Sequence, residues 1–189
     1  YLYQVMEETR LAAEGCRADV TFFEGFTVGA FLAFSRVEAD FLILETGLGG
    51  RLDATNVVEK PEISVITPIS FDHMEYLGTT IPAITFQKAG IIKKKRPCIV
   101  SAQTEEAIEV IERVSAKFES ETFIYEYDFG IKKTENEYFF VNPEQEIKLP
   151  LLSLPGDHQY INAATSIETI LKIEAPKVNQ ASIQEAIKT

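Results

Sequence analysis

Apolar positions along the chain alternate between helical and extended rhythms, and that alternation predicts the architecture. Leu2, Val5, Met6, Leu11 and Ala12 recur near helical spacing, predicting an amphipathic helix over residues 1–15 that ends near Gly15. A polar link and the run Thr21 to Thr27 lead into Val28 to Val37, almost wholly apolar, which predicts a buried helix. Phe41 to Leu44 are four consecutive apolar residues, too few for a helix, and predict a short strand buried on both faces. Ile63 to Thr67, closed by Pro68, predicts a second strand, and Pro97 to Val100 a third. Between them Thr80 to Ile92 carries a modest helical pattern, with Pro82 tolerated in its first turn. Glu105 to Phe118 is a clear amphipathic helix, with Ala107, Ile108, Ile111, Val114 and Phe118 on one face.

Strand and helix in this rhythm predict an α/β fold, a parallel sheet with helices layered on it. From residue 121 the character changes. Phe123 to Tyr127, Gly130-Ile131 and Tyr138 to Val141, separated by Asp, Gly and Asn, predict antiparallel hairpins, so 121–152 is expected to form a small appended sheet. The chain closes with a helix to about Ile173, facing inward with Ile161, Ala164, Ile167, Ile170 and Leu171, then a break at Pro176 and a short helix from Ala181 to Ile187. The whole of 1–189 is taken as one domain.

Composition narrows the function classes. A net charge of −11 and a pI near 4.7 argue against a surface for nucleic acid, which needs clustered Lys and Arg. The one basic run, Lys93 to Arg96, is short enough to be a solvated turn. Two distant cysteines, Cys16 and Cys98, fit a reducing compartment, and no apolar run reaches spanning length, so the expectation is a cytoplasmic protein that meets no membrane.

Candidate chemistry gathers where predicted strands end. Glu45 closes the first strand and is followed by Gly47, Gly49 and Gly50, then Arg51, Asp53, Thr55 and Asn56. A carboxylate leaving a strand into a glycine turn lies at the carboxyl edge, where open α/β sheets bind ligands. The second strand ends on Ser70, Asp72, His73 and Glu75, and Lys88 precedes Ala89-Gly90. At Gly156 a glycine turn opens the last long helix, with His158, Gln159 and Asn162 in its first turns, where free N–H groups favour anionic or polar ligands. Each feature also has an ordinary reading: a solvated turn for Glu45, a structural imidazole for His73, a surface charge for Lys88.

Three stretches in sequence change that balance. Glu45 to Asn56, then Asp72-His73 with Lys88 to Ile91, then Gly156 to Gln159 with Asn162 to Ala164, resemble folylpolyglutamate synthase and dihydrofolate synthase of the Mur ligase superfamily, in order and spacing. The resemblance implies an ATP-dependent amide ligase that joins glutamate to a folate or pteroate carboxylate through an acyl phosphate. It implies that Glu45 and His73 hold magnesium, and that Lys88 is carbamylated and completes the metal ligands, Lys88 and His73 being the catalytic positions. Gln159 and Asn162, with His158 beside them, would lie on the adenine side, and Thr21, Phe23, Asp53 and Ala54 would line the pterin site. The implied small-molecule set is ATP, magnesium, glutamate and a pteroate or folate.

The chain contains no Gly-x-x-x-x-Gly-Lys-Ser/Thr loop, which the resembled enzymes use to hold phosphates. It is therefore expected to be an internal piece, without that N-terminal strand and loop or a C-terminal glutamate-binding domain, and nearly inactive alone. A non-catalytic nucleotide or pterin binder is the alternative. A metal hydrolase built on Glu45, Asp72 and His73 is a weaker one, since only His158 remains as a further imidazole.

Overall fold

The computed structural model describes residues 1–135, 137–173 and 178–188, so the expected break at Pro176 lies outside the described residues. The chain divides into two compact units, Tyr1–Val58 and Glu59–Thr189.

The first unit is a helical hairpin followed by a loop. Helix α1 (Leu2–Cys16) runs past Gly15 and stops at Arg17, whose φ of 53° is left-handed. Helix α2 (Phe22–Phe34) begins six residues before the expected start at Val28. The cause is a capping box: the Glu24 amide donates to the Thr21 hydroxyl, and the Glu24 carboxylate accepts from the Thr21 amide at 2.8 Å. That helix is not buried as expected. Gly29 is its one buried residue, and its lack of a side chain lets α1 approach closely: a Cβ there would lie 2.9 Å from the Met6 sulfur, which would have to move.

The predicted strand at 41–44 does not form. Phe41 to Thr46 carry no ladder, and Ile43 is 92% exposed. A strand is defined by partners rather than by its own apolar run, and no described segment pairs with this one. The glycine turn then closes on a short 3₁₀ turn, Ala54–Val57.

The second unit carries the expected layers. Strands β1 (Ser64–Ile66), β2 (Cys98–Val100) and β3 (Thr122–Ile124) form a parallel sheet in that order. Between β1 and β2 come α3 (Met74–Leu77) and α4 (Ile81–Lys88); between β2 and β3 comes α5 (Glu105–Phe118), at its predicted bounds. Period-two alternation sends the strand residues to opposite faces. Ile66, Cys98, Val100 and Ile124 join Ile84 of α4 and Val110, Ile111 and Val114 of α5 in one core. Ile99, with Val65 and Phe123, joins the other. Helices on one face, with helix and sheet on the other, make three layers.

The appended antiparallel sheet is smaller than expected: β4 (Gly130–Lys133), β5 (Tyr138–Val141) and β6 (Glu146–Leu149), paired in that order. Residues 122–124, assigned to it by sequence, belong to the parallel sheet as β3. An apolar strand does not state its partner's direction. Phe140, Ile147 and Leu149 face α6 (Asp157–Lys172) and α7 (Gln180–Ala186) in the second core, with Tyr160, Ala164, Ile167 and Ile183.

Candidate functional site

Beyond the carboxyl end of β1, residues 67–73 form an ordered loop. Gln103, just past β2, accepts from the Ile69 amide at 3.0 Å and donates to the Thr67 carbonyl at 2.8 Å. At the far end of this loop His73 caps α3 with φ 47°, a left-handed conformation that a residue with a Cβ seldom adopts. Asp72 supports it: one carboxylate oxygen accepts the His73 amide at 2.8 Å and the other lies 3.6 Å from Nε2. Both side chains are exposed, as a ligand-facing pair would be.

Lys88 is the last residue of α4 and is half-buried. Three residues on, the Ile91 carbonyl accepts from Ser64 Oγ at the start of β1. Neither the Lys88 ammonium nor the Glu45 carboxylate has a hydrogen bond or ion pair among the described residues. Glu45 is exposed in the first unit. No group of three His, Cys, Asp or Glu side chains converges as a metal site among the described residues.

At the start of α6 the sequence candidates do come together. Asn162 Nδ2 donates to Gln159 Oε1 at 3.3 Å, and Gln159 Nε2 lies 3.1 Å from His158 Nε2, so three adjacent polar side chains form one connected strip. Gly156, φ 110°, precedes it; a Cβ there would lie 2.5 Å from the His158 ring. The glycine thus serves both the backbone turn and the seat of the imidazole.

Sequence reading missed what fixes this helix end. Asp157 accepts from the Tyr138 hydroxyl at 3.1 Å and pairs with Lys133 at 3.3 Å. The Tyr138 ring stacks on Tyr160 with centroids 3.7 Å apart and planes 7° from parallel. Tyr138 first, then Lys133, holds the Asp157 carboxyl below the usual range. The antiparallel sheet therefore orients the first turn of α6. Deeper in, Asn142 donates to the buried Glu168 at 2.9 Å, and Lys172 lies 3.6 Å from the same carboxylate. Only the pairing of β4 and β5 beneath α6 brings these residues together.

The first unit assembles a second set. Asp53 accepts the Leu48 amide at 2.9 Å and the Thr55 amide and hydroxyl at 2.9 and 2.6 Å. Partial burial raises its pKa, but hydrogen bonds from Thr55, Leu48 and Gly47 outweigh that and lower it. The carboxylate is thereby engaged in shaping the glycine turn. The Phe23 ring lies against Gly47, where a Cβ would meet it at 2.4 Å. Ala54 opens the 3₁₀ turn beside Asp53, and the Thr21 hydroxyl is occupied in its capping box.

A family model for the Mur ligase middle domain matches residues 3–170. The chain belongs to the Mur ligase middle-domain family. A dihydrofolate synthase/folylpolyglutamate synthase of Bacillus subtilis is 43% identical over 154 residues, covering 78% of this chain and 35% of the relative. A folylpolyglutamate synthase of Arabidopsis thaliana is 35% identical over 172 residues, covering 86% of this chain and 27% of the relative. A crystal structure of folylpolyglutamate synthase from Thermotoga maritima superimposes with a TM-score of 0.84 at 34% identity, covering 100% of this chain and 44% of that one. The chain thus spans about a third of the length of the curated relatives and under half of the solved ones. This Mur ligase middle domain has no helix among its described residues long and apolar enough to cross a membrane.

Proposed function

We propose that this Mur ligase middle domain is the nucleotide-handling part of an ATP-dependent amide ligase that adds L-glutamate to folate or dihydropteroate. The observation that carries the reading is the connected strip of His158, Gln159 and Asn162 at the glycine-opened start of α6, in a chain similar to enzymes of that name. Solved neighbours include a complex of the folylpolyglutamate synthase with AMPPCP and folate, and Escherichia coli FolC with DHPP and ADP.

In the proposed reaction a carboxylate oxygen of the pteroate or folate attacks the γ-phosphorus of ATP and ADP leaves, giving an acyl phosphate. The glutamate amine then attacks the acyl carbon, and inorganic phosphate departs as the amide forms and the amine loses a proton. The Gln159 and Asn162 amides each offer donor and acceptor, the equipment for an adenine edge, with His158 beside them. Thr21, Phe23, Asp53 and Ala54 would lie on the pterin side, Asp53 by holding the glycine turn in shape.

Glu45 and His73 would hold magnesium, which supplies neutralisation of phosphate charge as it develops. The donor chemistry fits: Glu45 has an exposed carboxylate with no hydrogen bond or ion pair among the described residues, and His73 is exposed on the loop that follows β1. Lys88 fits as a carbamate, because an ammonium would repel the cation while carbamate oxygens suit it, and no carboxylate claims it among the described residues. Burial pushes the Cys98 thiol up to about 12, so it is a neutral core side chain and takes no part in the proposed chemistry.

The test is glutamate-dependent phosphate release from ATP, with folate or dihydropteroate and magnesium, in the longest form of the protein its gene encodes. Release that requires both glutamate and the pterin substrate is expected, with Asn162→Ala raising KM for ATP about tenfold, the equivalent of one lost hydrogen bond. Nucleotide binding without such release identifies a remnant that binds but does not ligate, and overturns the ligase reading.

A further inference from the structure

We propose that Gln103 is a positioning residue: its side-chain amide sets the course of the loop that presents His73. The loop leaves β1 at Ile66, so the backbone groups that follow lose their ladder partners. Gln103 replaces two of them with one planar group, donating to the Thr67 carbonyl at 2.8 Å and accepting the Ile69 amide at 3.0 Å. Both ends of the amide are used, two residues apart on the loop, which fixes direction as well as place. Ile69 is buried, so its amide has little access to water as an alternative partner.

Gln103 is itself anchored. Two residues earlier the Ser101 amide donates to the Ile66 carbonyl at 2.9 Å, extending the β1–β2 ladder. The Ser101 hydroxyl shares a buried 2.9 Å hydrogen bond with Thr165 of α6. The segment after β2 therefore grips the His73 loop with one residue and the helix carrying His158, Gln159 and Asn162 with another. At the loop's far end His73 sits at φ 47°, where the Asp72 carboxylate accepts its amide and its own carbonyl accepts the Tyr76 and Leu77 amides of α3, so a grip on the loop's near end fixes the stretch between two anchored points. What His73 is positioned for rests on the proposed function; the grip itself does not.

The experiment compares the wild-type chain with Gln103→Leu and Gln103→Glu by residue-resolved amide hydrogen exchange. It then titrates each with manganese ion as a paramagnetic probe, reading broadening of the His73 ring resonances. In Gln103→Leu the amides from Ile69 to His73 should exchange about tenfold faster, the loss of one net hydrogen bond, while those of β1, β2 and α6 stay as they were. Gln103→Glu keeps an acceptor, so Ile69 should remain protected while the link to Thr67 is lost. Manganese should broaden His73 in the wild type and need about tenfold more metal in Gln103→Leu, the same hydrogen-bond loss read in the ligand. Unchanged exchange at Ile69 in Gln103→Leu overturns the proposal. So does a uniform rise across β1, β2 and α6, which would mark a general packing role, and so does equal broadening in both proteins. If manganese leaves wild-type His73 sharp, the metal assignment falls, and the exchange comparison alone decides the role of Gln103.

Discussion

The two units use apolar residues in opposite ways. In Glu59–Thr189 the alternate residues of each parallel strand meet partners on both faces, and Ile84, Ile99, Ile111 and Phe140 are fully excluded from water. In Tyr1–Val58 only Val5 is a buried large hydrophobic, while Phe22, Phe26, Phe34, Phe41 and Ile43 stand in solvent. Apolar content is not the difference, since α2 carries Phe22, Phe23, Phe26, Phe31, Leu32 and Phe34 within one helix. The difference is whether another element of the same unit meets the apolar surface, and burial, not hydrophobicity, supplies stability.

That contrast sets the order of expected effects. Phe140→Ala should cost about 3–5 kcal/mol in chemical denaturation, because its ring is fully enclosed by Phe129 and the second core. Asp53→Ala should cost the first unit about 1–3 kcal/mol by removing the charged acceptor of the exposed Leu48 amide and of the part-buried Thr55 amide and hydroxyl, read as faster amide exchange over 47–55. The same loop should respond to acid. A carboxyl whose folded pKa is lowered contributes stability that is complete above its unfolded value and lost as pH falls through the folded one, so protection over 47–55 should persist at neutral pH and fade only at pH below the ordinary 3.8.

Thr21→Ala should cost about 1 kcal/mol through loss of the capping box, seen as lower helicity in the first unit. Phe22→Ala, though as large a truncation as Phe140→Ala, should change stability by less than about 0.5 kcal/mol, since Phe22 is 79% exposed. Phe22 and Phe140 variants of equal cost would erase the contrast between the units.

How much the sequence disclosed follows from the same contrast. Helix α5 is found at its bounds because five apolar side chains on one face and a charged remainder leave one way to fold. The start of α2 was written in Thr21 and Glu24, a threonine followed three residues later by a glutamate, yet the apolar run beyond drew the boundary to Val28. Phe41 to Leu44 and Thr122 to Ile124 show the limit of periodicity. A short apolar run announces extended backbone but not its partner, so one segment remained unpaired and the other joined the parallel rather than the antiparallel sheet.

The candidate site divides similarly. His158, Gln159 and Asn162 lie within one helical turn or so, where spacing alone makes them neighbours, and they do touch. Gln103 acts on a backbone more than thirty residues away, and Tyr138 stacks on a residue from another element, so neither is visible before the fold is known. Asp53 had the right neighbourhood, but its carboxylate faces its own loop.

The most direct measurement is a titration of the isotope-labelled chain with ADP and magnesium, following every backbone amide. The account predicts shifts concentrated at residues 156–163, where the connected polar strip opens α6, with a second group at 67–73 on the loop held by Gln103. Shifts confined to the helical hairpin of residues 1–58, or no shift at millimolar nucleotide, would contradict it.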